Sequence, residues 1–368
     1  MANKTRHNLP RQTFRFVGRN EIVSEAFTQL RFERSYLIAI WGAGGVGKTS
    51  LALHLAHLLK DQKVFEAIIW TSSRTEFFDK GKIKSVEQTP LQTLDQLLDK
   101  IAEVYDYQIM GRTIAEKQKE IKNFLSGKSA LIVVDNLEAL DDSDEAKILW
   151  FVRVLPEPCK AIVTARNKLV GHNEYSIQLT SMSWEESRDL ILSILRKSFP
   201  TLNTPELLSK RTMRQIFELT GGNPLAIKWL IGQARTKWLK TDVEKLLDQI
   251  AENKGDMLLE YCFNNTYSQL LRNRDFDSRN LLFAVSRIDT PFSIDSVKEI
   301  CNWPSYRISS ALNTLVKLSL LEANDEEETP EEYELLPLTR TYVIKKFDTL
   351  SDADKAKLIE GGFELEDE

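Results

Sequence analysis

The chain has 368 residues, 42% of them hydrophobic and 28% charged, with a formal net charge of −5; that is room for two or three domains and the composition of a folded globular protein. The acidic balance excludes a chain-wide electrostatic footprint for nucleic acid. Cys159, Cys262 and Cys301 stand far apart with no His/Cys cluster around them, which argues against a disulfide frame or a zinc site and for a reducing, cytoplasmic setting; there is no apolar run of membrane-span length and no apolar signal core near Met1.

In chain order, residues 1–14 carry Lys4, Arg6 and Arg11 without an acid, and Pro10 discourages a helix; an arm or linker is expected. Phe16-Val17-Gly18-Arg19 follows, placed so that its backbone could line a base, and then an amphipathic helix from Glu21 to Leu30. Tyr36 to Trp41 is an apolar run that reads as a buried strand.

Gly42-Ala43-Gly44-Gly45-Val46-Gly47-Lys48-Thr49 comes next and fits G-x-x-x-x-G-K-[ST] without a mismatch, ahead of a helical pattern from Ser50 to Leu59. Strand, glycine loop and helix form the context in which this motif binds phosphate. Glycines let successive N–H groups turn inward on a phosphate, and the helix adds its unpaired N-terminal donors. Lys48 is expected on the β- and γ-phosphates and the Thr49 hydroxyl on Mg²⁺.

Ala67 to Thr71 reads as a second strand and residues 72–90 as a long polar surface loop. Helices are expected at Leu91–Val104, from its Leu91, Leu94, Leu97, Leu98, Ile101 spacing, and at residues 113–125. Ala130-Leu131-Ile132-Val133-Val134-Asp135 is five apolar residues ending in an acid. In a parallel sheet that acid emerges at the carboxyl edge, where ligands bind, so Asp135 is the candidate Walker B residue for Mg²⁺. Ala161 to Arg166 is another such strand, and Thr164 or Arg166 could sense a γ-phosphate; Ser176 to Leu179 is a further short strand. Alternating strands and helices imply a parallel, three-layer α/β domain.

From Ser183 onward the pattern changes to helices with no strand between them. Helices are expected at Trp184–Leu195, Pro205–Leu219, Pro224–Thr236 and Asp242–Ile250, with Ser183 and Thr204 as caps and Gly221-Gly222-Asn223-Pro224-Leu225-Ala226 as a joint. A third block has helices at Leu258–Leu271, Ser278–Val285, Ile294–Ile300 and Tyr306–Leu318, then a hairpin from Leu320-Leu321-Glu322 and Tyr333-Glu334-Leu335-Leu336, and a helix from Thr339 to Lys346. Helices followed by a hairpin wing make a winged helix. The expected division is arm 1–14, P-loop nucleotide-binding domain 15–182, helical domain 183–254, winged-helix domain 255–350 and charged tail 351–368.

The ordered set F-V-G-R, G-A-G-G-V-G-K-T-S, L-I-V-V-D-N, I-V-T-A-R and G-G-N-P-L-A, ahead of a winged helix, resembles the NB-ARC branch of the STAND NTPases, signalling ATPases of apoptosis, plant immunity and bacterial regulation or defence. The resemblance covers about residues 15–345 and is carried above all by Gly221–Ala226, similar to the family's G-L-P-L-A. It implies three domains closed around ADP, opening and oligomerising on exchange for ATP, with protein partners or fused effector and sensor domains; the acidic charge balance and the lack of a membrane-length apolar run make a nucleic-acid or membrane partner unexpected. By resemblance, Val17 and Arg19 lie near adenine, and Gly44, Gly45, Val46, Gly47, Lys48, Thr49 and Ser50 hold the phosphates. Thr49 and Asp135 serve Mg²⁺, Arg166 senses the γ-phosphate and Pro224 packs on the base. Two departures stand out. Asn136 replaces the frequent second acid, and an amide cannot take a proton from water, so hydrolysis is expected to be slow unless Glu138 substitutes. The family's Met-His-Asp is matched by Leu335-Leu336-Pro337-Leu338, so Pro337 stands at the nucleotide-facing position without the histidine.

The main alternative is a DNA-binding ATPase that joins a P-loop domain to a winged helix. Its recognition helix, Tyr306–Leu318, offers only Arg307 and Lys317, beside a wing with Asp325, Glu326, Glu327, Glu328, Glu331 and Glu332; those acids would repel phosphates. A metabolic kinase would need a second substrate pocket, for which the sequence gives no sign.

Overall fold

The computed structural model describes residues 5–12, 16–32, 36–73, 76–79, 82–85, 90–169, 174–198, 208–234, 256–288, 291–301, 303–318, 320–324, 332–335, 337–351 and 355. These fall into two compact units: Met1–Gly42, Gly47–Asp79 and Ile83–Leu179 in the first, and Ala43–Val46, Lys80–Lys82 and Thr180–Glu368 in the second. The helix expected at Asp242–Ile250, the Thr204 cap and Leu336 lie outside the described residues.

The first unit is built on strands β1 (Arg6–His7), β2 (Leu37–Trp41), β3 (Ala67–Ser72), β6 (Ala130–Asp135), β7 (Lys160–Ala165) and β8 (Glu174–Gln178), in the order β1-β3-β6-β7-β2-β8. Every pairing is parallel. The runs Leu37–Trp41 and Ala130–Asp135 are buried along their whole length, as strands covered on both faces must be. Period-two alternation sorts the side chains. Leu37, Ala39, Ile69, Ile132, Val134 and Val163 pack into one core with helices α3 (Leu94–Tyr105), α4 (Ile114–Leu125) and α5 (Asp142–Arg153). Helices α1 (Asn20–Arg31) and α2 (Lys48–Asp61) pack on each other and on the sheet. The result is the expected three-layer α/β domain.

Three expectations are corrected. The residues read as an arm include a sheet edge: the Arg6 N–H donates to Glu66 O at 2.9 Å, the Thr5 hydroxyl to Phe65 O at 3.0 Å, and Asn8 exchanges hydrogen bonds with both backbone groups of Trp70. Two residues are too few for a period to register. The stretch 72–90 is not all loop, because Glu76–Asp79 (β4) and Lys82–Ser85 (β5) form a two-stranded sheet. The third is α5, which the sequence reading left unassigned; Asp141 caps it by accepting the Asp144 N–H at 2.9 Å.

The second unit begins with α6 (Trp184–Ser198), whose Ser183 cap is reciprocated by Glu186. Helices α7 (Lys210–Thr220) and α8 (Pro224–Ala234) follow; α7 starts at Lys210, capped by Ser209, later than the expected Pro205. Helices α9 (Asp256–Arg272), α10 (Phe276–Val285), α11 (Ile294–Ile300), α12 (Ser305–Lys317) and α13 (Pro337–Asp348) come next, with strands β9 (Phe292–Ser293), β10 (Glu322–Asn324) and β11 (Glu332–Glu334). The expected wing is present: β10 pairs antiparallel with β11, and β11 with β9. The helical and winged-helix blocks, separated at residue 254 in the sequence reading, belong to one unit, and α13 packs on α7. Among the described residues no helix is long and apolar enough to cross a membrane.

Candidate nucleotide site

Strand β2 delivers the chain to Gly42, and α2 starts at Lys48. The N-terminus of α2 has no side-chain cap on Gly47 and no acid of its own in the first turn, so nothing within the helix offsets the positive end of its dipole. The Lys48 ammonium is buried and donates to Gly42 O at 2.7 Å, folded over the mouth of the loop it is expected to serve. Ser50 is exposed on the same helical turn.

Asp135 is 1% exposed. Burial of a carboxylate is costly unless donors replace its water, and three hydroxyls do so. Thr49 Oγ1 and Thr164 Oγ1 both donate to Oδ1 at 2.7 Å, and Ser72 Oγ donates to Oδ2 at 2.9 Å. The Thr49–Asp135 hydrogen bond joins the first turn of α2 to the end of β6. Thr164, a candidate sensor, is instead an orienter of Asp135 and accepts the Asn136 N–H at 2.8 Å. Ser72 was missed. Its signal is its register: it sits opposite Asp135 where β3 and β6 end together. Thr49 and Asp135 are hard oxygen donors that fit Mg²⁺, which takes few protein ligands and keeps waters and substrate phosphates. Among the described residues no cluster of three or more His, Cys, Asp or Glu could hold a metal without such help.

Asn136 has φ 66°, in the left-handed region that asparagine tolerates, and it turns the chain into a 3-10 turn at Leu137–Ala139. That turn carries Glu138 to Arg166: Arg166 Nε donates to Glu138 Oε1 at 3.2 Å, with the side chains 12% and 6% exposed. The second oxygen, Glu138 Oε2, is buried without a hydrogen-bond partner. The candidate replacement base and the candidate γ-phosphate sensor are thus each other's partner.

Arg19 is buried with φ 59°, and its Nη1 lies 3.4 Å from where a Cβ on Gly47 would stand. It therefore sits beside the end of the phosphate loop. Val17 is half-buried, and the neighbouring Phe16 ring stacks on His54 of α2 at 4.7 Å.

In the second unit, Gly222 has φ 70° and no room for a side chain, because a Cβ would fall 2.1 Å from Met182 O. The close approach is fixed by the Met182 N–H donating to Gly222 O at 3.0 Å. It presents Asn223 to the phosphate-loop residues 43–46, which belong to the same unit. Asn223 Nδ2 donates to Gly44 O at 2.9 Å, while its Oδ1 accepts the N–H groups of Leu225 and Ala226 at 3.0 and 3.2 Å. The Leu225 N–H also reaches Gly45 O at 3.3 Å. Asn223 was not singled out from sequence, where the motif's weight fell on Pro224. Pro224 is buried at the first position of α8. Pro337 opens α13, and its side chain lies outside the described residues.

Residues 19–197 match the NB-ARC domain model, and residues 275–348 match a winged helix-turn-helix domain model. Residues 19–197 therefore carry an NB-ARC domain, which supports an NB-ARC P-loop NTPase of the STAND type. The NB-ARC match runs on through α6, past the boundary at 182 drawn from sequence. Among relatives, the transcription activator GutR of Bacillus subtilis is 26% identical over 241 residues, covering 60% of this chain and 27% of that protein. The disease resistance protein RPP13 of Arabidopsis thaliana is 26% identical over 221 residues, covering 58% of this chain and 24% of that protein. The chain thus spans about a quarter of the length of these relatives. A Walker-type ATPase of Pyrococcus abyssi shares the fold, with TM-score 0.55 and 13% identity over 92% of this chain and 99% of that one.

Proposed function

We propose that this chain is the nucleotide-gated core of a signalling protein of the defence, cell-death or regulatory kind, closed with ADP, open and oligomerising with ATP, and slow to hydrolyse. The observation that carries this reading is the state of the groups around Asp135. Two contacts support binding: Lys48 donates to Gly42 O at the start of the glycine loop, and Thr49 donates to the Asp135 carboxylate. The site's means of activating water are restrained. Asn136 has no basicity, and Glu138, the nearest substitute, is committed to Arg166. Such a site favours a long-lived nucleotide state over turnover. The cofactor is ATP or ADP with Mg²⁺, and the relatives named as disease resistance proteins support a signalling role.

The test is Lys48→Ala with direct measurement of nucleotide binding and turnover. The variant is expected to lose tight ADP and ATP binding, since charge-assisted phosphate contacts are the strong ones. The unaltered protein is expected to turn over well below the roughly 10 s⁻¹ common among enzymes. Unchanged affinity in the variant would refute the site, and fast turnover would refute the switch.

The second reading, a DNA-binding ATPase, draws on the winged helix and on a relative named as a transcription activator. One of the two cations on its recognition helix is already engaged. Arg307 makes two hydrogen bonds to Asp277, at 2.8 and 2.6 Å, and lies 3.9 Å over the Trp303 ring. With Arg307 drawn into the packing of its own domain, the first reading is the better supported.

A further inference from the structure

When a phosphate loop turns its N–H groups inward, its carbonyls are driven outward, and a buried carbonyl needs a donor. The outward carbonyls of Gly44 and Gly45 find theirs at the first turn of α8: Asn223 Nδ2 for Gly44, the Leu225 N–H for Gly45. The fit is close. A Cβ on Gly45, whose φ is 83°, would stand 2.8 Å from Asn223 Oδ1 and 2.9 Å from Leu225 Cβ. Asn223 itself is 4% exposed, so neither end of its amide is a solvent-facing group. All of these residues lie in the second unit.

We propose that Asn223 is a positioning residue for nucleotide binding: it holds the phosphate loop open from behind and ties the loop's conformation to the start of α8. This rests on the reading of residues 42–49 as the phosphate site. The two ends of one amide do separate tasks. Oδ1 caps α8 by accepting two of its orphan N–H groups, and Nδ2 grips the loop. Chemistry can therefore separate them. Aspartate is isosteric and caps as well as asparagine, but its second oxygen is an acceptor. It would face the Gly44 carbonyl without a proton between them, pushing the loop where asparagine holds it.

The experiment compares Asn223→Asp, Asn223→Ser and the unaltered chain, measuring ADP and ATP affinity by calorimetry and the unfolding midpoint without nucleotide. Asn223→Asp is expected to lower the nucleotide-free midpoint by a few degrees, as a buried carboxylate facing a carbonyl must, and, measured well below that midpoint, to lose roughly tenfold in affinity, the worth of about one hydrogen bond. The loss is expected to be equal for ADP and ATP, because the loop serves phosphates common to both. Asn223→Ser keeps a capping oxygen that cannot also span to Gly44, so it is expected to weaken binding in the same way and stands in if the aspartate variant does not fold. Undiminished affinity, a loss confined to ATP, or a loss that merely follows a fallen midpoint would overturn the assignment. Lys48→Ala, run alongside, separates the two possible failures. If it abolishes binding while Asn223→Asp does not, only the role of Asn223 is wrong; if it leaves binding intact, the phosphate site itself is wrong.

Discussion

Asp135 and Glu138 lie three positions apart and are held by opposite kinds of partner. Asp135 receives neutral hydroxyls, which leave its charge for a cation; Glu138 faces a guanidinium, which spends it. An incoming γ-phosphate is a second anion for Arg166, so Glu138 competes with it. Glu138→Gln is accordingly expected to raise ATP affinity several-fold over ADP affinity, and to lower the stability of the nucleotide-free protein, because a buried arginine loses its carboxylate. Arg166→Ala is expected to weaken ATP and leave ADP unchanged. Titration calorimetry of both variants with both nucleotides checks this, and equal effects on ADP and ATP would count against it. At this scale the sequence revealed what lies within a motif and hid what lies between motifs. Lys48, Thr49 and Asp135 follow a local grammar of strand, loop and strand end. Ser72 reaches Asp135 across 63 positions and Asn223 reaches Gly44 across 179, and hydrogen bonds of that range leave no spacing to read.

Elements were legible where burial was complete or periodicity long. Strands β2, β3, β6 and β7 announce themselves as apolar runs because helices cover both faces. Helix α5 hid behind a run of acids from Asp141 to Glu145 that reads as loop, although its Ile148, Phe151 and Val152 are fully buried. Helix α2 carries a prediction of its own. His54 stacks on Phe16 and lies near His57, and its pKa is held below the ordinary value by burial first and by His57 second. The unfolded chain therefore takes up this proton before the folded one does. The stability this group contributes is whole above the ordinary imidazole pKa of about 6.5 and is lost as pH falls through the lower folded value. Urea denaturation between pH 8 and 5 is expected to show stability declining on the acid side, with a shallower decline in His54→Phe, which keeps a ring against Phe16 and cannot titrate. Parallel curves for the two proteins would exclude His54 as the source.

For the molecule as a whole, the sequence located the parts better than their grouping. Composition marks where strands stop and helices take over near residue 183, but the separation of helical and winged-helix blocks at residue 254 has no counterpart in the compact units, where α13 packs on α7. Packing between surfaces distant in sequence leaves no compositional step. If the proposed switch is right, ADP binding becomes conformational stability by mass action, about 2.7 kcal/mol at a hundredfold excess over its dissociation constant. Limited proteolysis between α8 and α9 is then expected to be slowed more by ADP than by ATP, the γ-phosphate favouring another arrangement. Identical digestion with ADP, ATP and no nucleotide would show that nucleotide does not gate the chain.

The two-residue strand at the sheet edge has a mechanical meaning. Residues 5–8 hold to Phe65 and Glu66, just ahead of β3, through the Thr5 hydroxyl and the Arg6 N–H, and to β3 itself through the paired bonds between Asn8 and Trp70, and β1 runs parallel to its neighbour. Tension applied ahead of residue 5 along the strand axis would load these bonds together in shear instead of peeling them singly. The strand that takes up the load is β3, and its last residue, Ser72, is one of the three donors that hold Asp135. A pull at that edge is thereby connected, through one strand, to the acid expected to hold the metal.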